Sequence, residues 1–152
     1  MLILDLHSHL TEEDVCGYLA GQWDANSHNL AITNTFPCLI AKDDLGTDEA
    51  RRVETEIYDQ LYGNHLTLVG WYHSSPRGPS LPTVKDCFDQ LDFQIKLLGN
   101  GDATYTPCVG LICSPFEPTA RTLDSSIVVY WIYPPSGIRA VILNAVISGN
   151  QQ

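Results

Sequence analysis

The chain has 152 residues, 44% of them hydrophobic and 17% charged, enough for one compact core that buries roughly two thirds of the surface its unfolded form exposes. Eighteen acidic against eight basic residues give a net charge of −10, which repels a phosphate backbone and excludes direct nucleic-acid binding as the expected role. No apolar run approaches the ~18 residues of a membrane span, so a soluble protein with no membrane role is expected.

Thr11 followed by Glu12, Glu13 and Asp14 has the pattern of a helix N-cap with acids in the first turn, and predicts a helix from Thr11 to Ala20 that ends near Gly21. HNLAITNTFPC, His28 to Cys38, alternates as a strand closed by Pro37, and LIAKDDLG then reads as a loop. From Thr47, TDEARRVETEIYDQLYGNH places Ala50, Val53, Ile57 and Leu61 at helical spacing, with Gly63-Asn64 as the stop. LTLVGWYHS, Leu66 to Ser74, is rich in β-branched and aromatic residues and predicts a core strand.

After a Pro-Gly-Pro loop, PTVKDCFDQLDFQIKLLG sets Val84, Phe88, Leu91, Ile95 and Leu98 on one helical stripe, read as core packing and ended by Gly99. PCVGLICSPF, SSIVVYWIYPP and IRAVILNAVIS supply three further strands, the last of which has equally the pattern of a buried helix. Turns are expected at Asn100-Gly101, Thr119 to Ser125 and Pro134 to Gly137. The order α-β-α-β-α-β-β-β indicates a mixed α/β (α+β) domain, helices packed on a curved mixed sheet, as a single unit over residues 1–152.

Five cysteines, Cys16, Cys38, Cys87, Cys108 and Cys113, are odd in number and form no C-x-x-C pair. They signal neither a disulfide framework nor a cysteine zinc knuckle, and read as buried, reduced thiols of an intracellular protein, nuclear or cytoplasmic. MLILDLHSHL lacks the basic leader and small-residue cleavage site of a secretory signal.

The chemistry concentrates in GWYHSSPRGPSLPTVKD, Gly70 to Asp86. Residues two apart on a strand point the same way, so position 75 projects beside His73, and an Asp in the first turn of the next helix can close on the pair. With a histidine at 75 this would be a two-histidine, one-carboxylate site with a fourth position open, the arrangement of a catalytic zinc centre. Position 75 holds serine instead, and the spacing reads H-x-S-x7-T-x-x-D.

GWYHSSP, together with HSHLTEEDVCGYLAGQWD and CSPF (Cys113 to Phe116), resembles the MPN domain family, whose JAMM metalloproteases cleave isopeptide bonds of ubiquitin and its relatives. The family's signature is an early Glu, then H-x-H-P-x6-S-x-x-D, and these segments look most like the branch that includes histone deubiquitinases. The resemblance implies an MPN domain within a longer protein. It carries His73 to the first zinc ligand, Asp86 to the third, Ser75 to the second histidine ligand, Thr83 to the serine that assists the oxyanion, and Asp14 to the catalytic glutamate, presented by the helix beginning at Thr11.

Three of these five positions have changed. Thr83 keeps the hydroxyl. Asp14 keeps a carboxylate but loses about 1.5 Å of reach, and a misplacement of about 1 Å costs on the order of a hundredfold in rate. Ser75 is the severe change, because a neutral hydroxyl is a poor zinc ligand beside imidazole, and losing mere outer support of a ligand already costs about 10 to 100-fold in affinity. The resemblance therefore implies a zinc cofactor bound weakly or not at all.

Other candidate donors are present. His7-Ser8-His9 is itself an H-x-H, His28 and His65 read as surface histidines, and Cys87 is a neighbouring thiol that a helix turns about 100° away from Asp86. Two function classes stay open. One is a non-catalytic MPN domain that binds a protein partner, either a ubiquitin-like protein or another MPN domain. The other is a zinc-dependent isopeptidase, working with Ser75 tolerated or inactivated by an engineered serine.

Overall fold

A computed structural model describes residues 2–10, 12–38, 47–98, 107–116, 125–133 and 140–143. Among them the elements run α1 (Leu2–His9), β1 (Cys16–Asp24), β2 (Asn29–Cys38), α2 (Asp48–Gly63), β3 (Thr67–Ser74), α3 (Val84–Leu98), β4 (Val109–Ser114), β5 (Ser126–Ile132) and β6 (Ala140–Leu143). The strands form one mixed sheet in the order β2-β1-β3-β4-β5-β6. All neighbours are antiparallel except β3 and β4, which run parallel because α3 carries the chain back between them.

Each face of the sheet has its own core. On one, Leu4 of α1 packs with Leu19, Val69, Tyr72, Leu111 and Val129; on the other, Ile57 and Leu61 of α2 pack with Tyr18, Ala20 and Trp71, and Phe93 of α3 joins them. The split depends on an irregularity in β3: Ala20 of β1 pairs with Leu68 but Leu19 pairs with Gly70, so Val69 is an extra residue. This bulge re-phases the strand. Leu66, Leu68 and Trp71 consequently share one face, and Val69 and Tyr72 the other.

Local sequence explains most elements directly. Thr47 caps α2 by accepting the Ala50 N–H at 3.2 Å, and Asn64 closes its far end. The β1–β2 turn is tied by Asp24, whose carboxylate accepts from Asn26 N–H at 2.9 Å and the Ser27 hydroxyl at 2.6 Å. His28 and His65, both exposed, take positive φ values of 53° and 54° where the chain turns.

The helix expected over Thr11 to Ala20 is not formed. Helix α1 lies earlier, Glu12, Glu13 and Asp14 are exposed outside any helix, and Cys16 opens β1, which makes the order α-β-β-α-β-α-β-β-β. Gly17 and Gly21 explain the outcome: a Cβ on Gly17 would come within 2.4 Å of the Tyr72 ring, and one on Gly21 within 1.9 Å of Ala31 O. These glycines, poor helix formers, let β2 and β3 close on β1.

A second correction concerns α3. Val84, Phe88 and Ile95 of the expected core stripe are exposed, whereas Gln90 and Gln94 are buried. The glutamines are fully engaged. Gln90 accepts from Trp71 Nε1 at 2.6 Å and donates to Cys108 O at 2.7 Å and Gln94 Oε1 at 3.0 Å; Gln94 also exchanges two bonds with the backbone of Ile132. Of the last apolar run, Ala140–Leu143 is a strand. The loop 39–46, the turns at Asn100-Gly101 and Pro134 to Gly137, and that at Thr119 to Ser125 save its last residue, lie outside the described residues.

Candidate functional site

His73 occupies the last full turn of pleat in β3, with Cys16 of β1 and Ile112 of β4 as its register partners. The bulge at Val69 sets its direction, placing its ring on the α3 face in a stack with Trp71 at a centroid separation of 5.2 Å. Helix α3 delivers Asp86 from its first turn to the same spot. Both side chains are buried, and His73 Nε2 stands 3.1 Å from Asp86 Oδ1.

Each partner is oriented from behind. His73 Nδ1 lies 3.0 Å from the carbonyl of Ser74, which can only accept, so Nδ1 is a donor there and Nε2 is the atom turned toward Asp86. Despite the short separation, Nε2 makes no hydrogen bond of acceptable geometry; the contact is one of proximity and charge. Tyr130 Oη is another buried side-chain atom without a hydrogen bond.

Asp86 is held through its other oxygen. Oδ2 accepts the Thr83 N–H at 2.8 Å and the Thr83 hydroxyl at 2.7 Å, while the Asp86 N–H returns to Thr83 Oγ1 at 3.2 Å. This reciprocal pattern is a capping box that starts α3. Burial by itself would raise the Asp86 carboxyl, but the His73 contact and the two Thr83 donors outweigh it and hold the group well below the usual carboxylate range. The Thr83 hydroxyl, expected to face an oxyanion, is thus committed to the helix start.

Ser75 follows β3 directly. Its N–H donates to Cys113 O at 2.8 Å, and its Oγ lies against the turn over residues 75–78, where a Cβ on Gly78 would meet it at 2.9 Å. Val15 and Ser74 lock the opposite strand, Val15 N–H donating to Ser74 Oγ at 2.9 Å and Ser74 N–H to Val15 O at 2.8 Å. With Cys16 beside His73, this register carried one step past Val15 brings Asp14 level with Ser75. Asp14 is exposed there, in the extended lead into β1 rather than on a helix. Beyond the ends of β3 and β4 opens a cleft of about 530 Å³ lined by His9, Leu10, Glu12, Pro76, Arg77 and Phe116, and bridged by an Arg77–Glu12 contact of 2.7 Å.

The other candidate donors lie elsewhere. His7 Nδ1 is hydrogen-bonded to the Tyr72 hydroxyl at 2.8 Å on the α1 face, and His9 packs on Phe116. Cys87 is buried on α3, and His28 and His65 are exposed at turns. Residues that the sequence reading missed are Trp71 and Gln90, which brace His73 and α3; the two-residue spacing from Trp71 to His73 was the available signal.

A catalytic zinc site takes three protein ligands and one open position. His73 Nε2 and the Asp86 carboxylate stand together, but among the described residues no group of three or more His, Cys, Asp or Glu is placed to hold a metal ion. The donors that the fold brings together there are His73 and Asp86.

Residues 1–94 match the family described as JAB1/Mov34/MPN/PAD-1 ubiquitin protease. MPN domain-containing protein CG4751 of Drosophila melanogaster is 48% identical over 136 residues, covering 90% of this chain and 10% of that protein. The MPN domain-containing protein of Homo sapiens is 42% identical over 135 residues, 89% of this chain and 28% of its own length. Deubiquitinase MYSM1 of Homo sapiens is 27% identical over 117 residues, 77% of this chain and 14% of its own. The chain thus spans between 10% and 28% of these relatives. A solution structure of a protein from Desulfitobacterium hafniense superposes with a TM-score of 0.59 at 18% identity, over 97% of this chain and 86% of that one, and shares the fold. Among the described residues no helix is long and apolar enough to cross a membrane.

Proposed function

The chain belongs to the JAB1/Mov34/MPN/PAD-1 ubiquitin-protease family, and from that premise we propose that it is an MPN domain of a longer protein whose zinc site is degenerate and which binds a protein partner instead of hydrolysing an isopeptide bond. The observation that carries this reading is the donor set. His73 and Asp86 stand together, serine holds the remaining ligand position, and Thr83 spends its hydroxyl on the α3 cap. Two protein ligands bind zinc weakly at best, and a centre without the ion has neither the Lewis acid nor the activated water of the family's reaction.

An interaction role has separate support in the exposed apolar side chains of α3, Val84, Phe88 and Ile95, since grouped apolar surface marks docking sites more often than chance. The partner classes proposed are a ubiquitin-like protein or another MPN domain, with an intracellular location.

A second reading, a working isopeptidase, is favoured by one feature: His73 Nε2 is buried, correctly oriented and without a hydrogen bond. Elemental mass spectrometry on protein purified without chelator separates the two, run beside a Ser75→His variant. The first reading expects little zinc in the unaltered chain, near-stoichiometric zinc in the variant, and no cleavage of ubiquitin chains by the unaltered protein. Near-stoichiometric zinc in the unaltered chain overturns it.

A further inference from the structure

We infer that Cys16 and Cys38 form a reversible redox site, a cross-strand thiol pair that a peroxide converts to a disulfide at the end of the sheet beside His73. The inference goes beyond the proposed function and does not depend on it.

The pair is set by register. Cys16 of β1 and Cys38 of β2 are direct Cα partners across antiparallel strands, so their side chains leave the sheet on the same face. The hydrogen-bond phase is fixed by a neighbour. Pro37 of edge strand β2 has no N–H and faces Gly17, so that pair is the kind without ladder bonds, and Cys16–Cys38 is the hydrogen-bonded kind. Such pairs hold their Cα atoms about 5.5 Å apart, inside the 4.4–6.8 Å window that a disulfide spans. The Cα spacing fits a disulfide, and bridging asks the two Cβ atoms, about 5.5 Å apart in such a pair, to close by about 1 Å.

No other cysteine is so placed. Cys113 faces Ser74 on one side and Ile127 on the other, Cys87 lies on α3, and Cys108 precedes β4. Burial pushes the Cys108 thiol up to about 12 and raises that of Cys113, which withholds the reactive thiolate at both.

Access comes from a second observation. Cys16 and Cys38 are both buried, yet both line a cleft of about 300 Å³ between the sheet and helices α2 and α3, with Tyr18, Glu54, Trp71 and Phe93. A cavity needs only about 15 Å³ to admit a water molecule, so the cleft has room for hydrogen peroxide beside the two cysteines. The chemistry balances with that one oxidant. One thiol sulfur attacks peroxide, the O–O bond breaks, a sulfenic acid forms and water leaves. The other thiol sulfur then attacks the sulfenic sulfur, the S–S bond forms and a second water leaves. The sulfur pair loses two electrons and one peroxide becomes two waters. Cys16 is also the register partner of His73, so the bridge would tie the candidate site to the sheet edge.

The test treats the reduced, folded 152-residue chain with hydrogen peroxide, quenches, alkylates under denaturant and maps the peptides by mass spectrometry. The expected result is loss of two of the five alkylatable thiols, with one cross-linked peptide pair joining Cys16 to Cys38 that dithiothreitol releases. A Cys38→Ser chain, confirmed folded by circular dichroism, should give no intramolecular bridge. The inference is overturned by five thiols surviving, by oxidation confined to single sulfurs, or by a bridge that uses Cys87, Cys108, Cys113 or a second chain.

Discussion

Helix α2 buries Ala50, Ile57 and Leu61 and turns its charged residues other than the half-buried Glu54 to solvent, whereas α3, one residue shorter, buries Gln90 and Gln94 and exposes Val84, Phe88 and Ile95. The two helices pack on the same face of the same sheet. What differs is what they replace: α2 covers the apolar surface of Tyr18 and Trp71, while α3 spans β3, β4 and β5 and supplies partners to Trp71 Nε1, Cys108 O and the Ile132 backbone. A buried amide with every hydrogen bond made costs little, and it fixes α3 in one register over the sheet, which the candidate site requires because Asp86 rides on that helix. Helix α1 extends the contrast, burying His7 and Ser8 while Ile3 and Leu6 are exposed.

The sharpest way to break the comparison is Gln90→Ala. It leaves Trp71 Nε1 and Cys108 O buried and unpaired and should cost about 2–6 kcal/mol in urea unfolding, at about one to three per orphaned group. Ile57→Ala in α2 is the apolar counterpart and should cost about 2–4 kcal/mol by the same measurement. If Gln90→Ala proved the milder of the two, α3 would be held by its carbon atoms after all.

A smaller effect belongs to α1. Burial lowers the pKa of His7 below its ordinary value, so the unfolded chain takes up the proton more readily than the folded one. Stability is then full above about pH 6.5 and falls as the pH drops through the unfolded value toward the folded one. Urea midpoints at pH 7.5 and 5.5 should separate more for the unaltered chain than for His7→Gln; equal separation would contradict the assignment.

The smallest change in stability should come from Val84→Asp, on the exposed side of α3: within about 0.5 kcal/mol, because a surface substitution removes little burial. Its value lies in the second readout. If the apolar side of α3 is a docking surface, the variant folds normally and loses affinity for the partner, while a stability loss above about 2 kcal/mol would return Val84 to the core.

The site was legible in part. The spacing from His73 to Asp86 suggests that the two meet, and they stand 3.1 Å apart, because a short loop joins the strand end to the helix start. Thr83 and Asp86 also spelled a capping box, T-x-x-D, which the sequence alone cannot distinguish from a catalytic hydroxyl beside a ligand. The misplaced first helix had a readable warning in Gly17 and Gly21, whose reason lies in strands that approach from elsewhere in the chain.

What the sequence determined by itself is local: the caps of α2, the strands β2 and β3, and the ligand spacing that carries the family signature. What only the tertiary structure decided is the facing of side chains. The bulge at Val69 turns Trp71 and His73 to the α3 side, and the backbone of β4 and β5 makes glutamine, not leucine, the residue that α3 buries. The physical reason is that periodicity reports which residues share a stripe, while the choice of which stripe is buried depends on hydrogen-bond partners and strand registers far away in the chain.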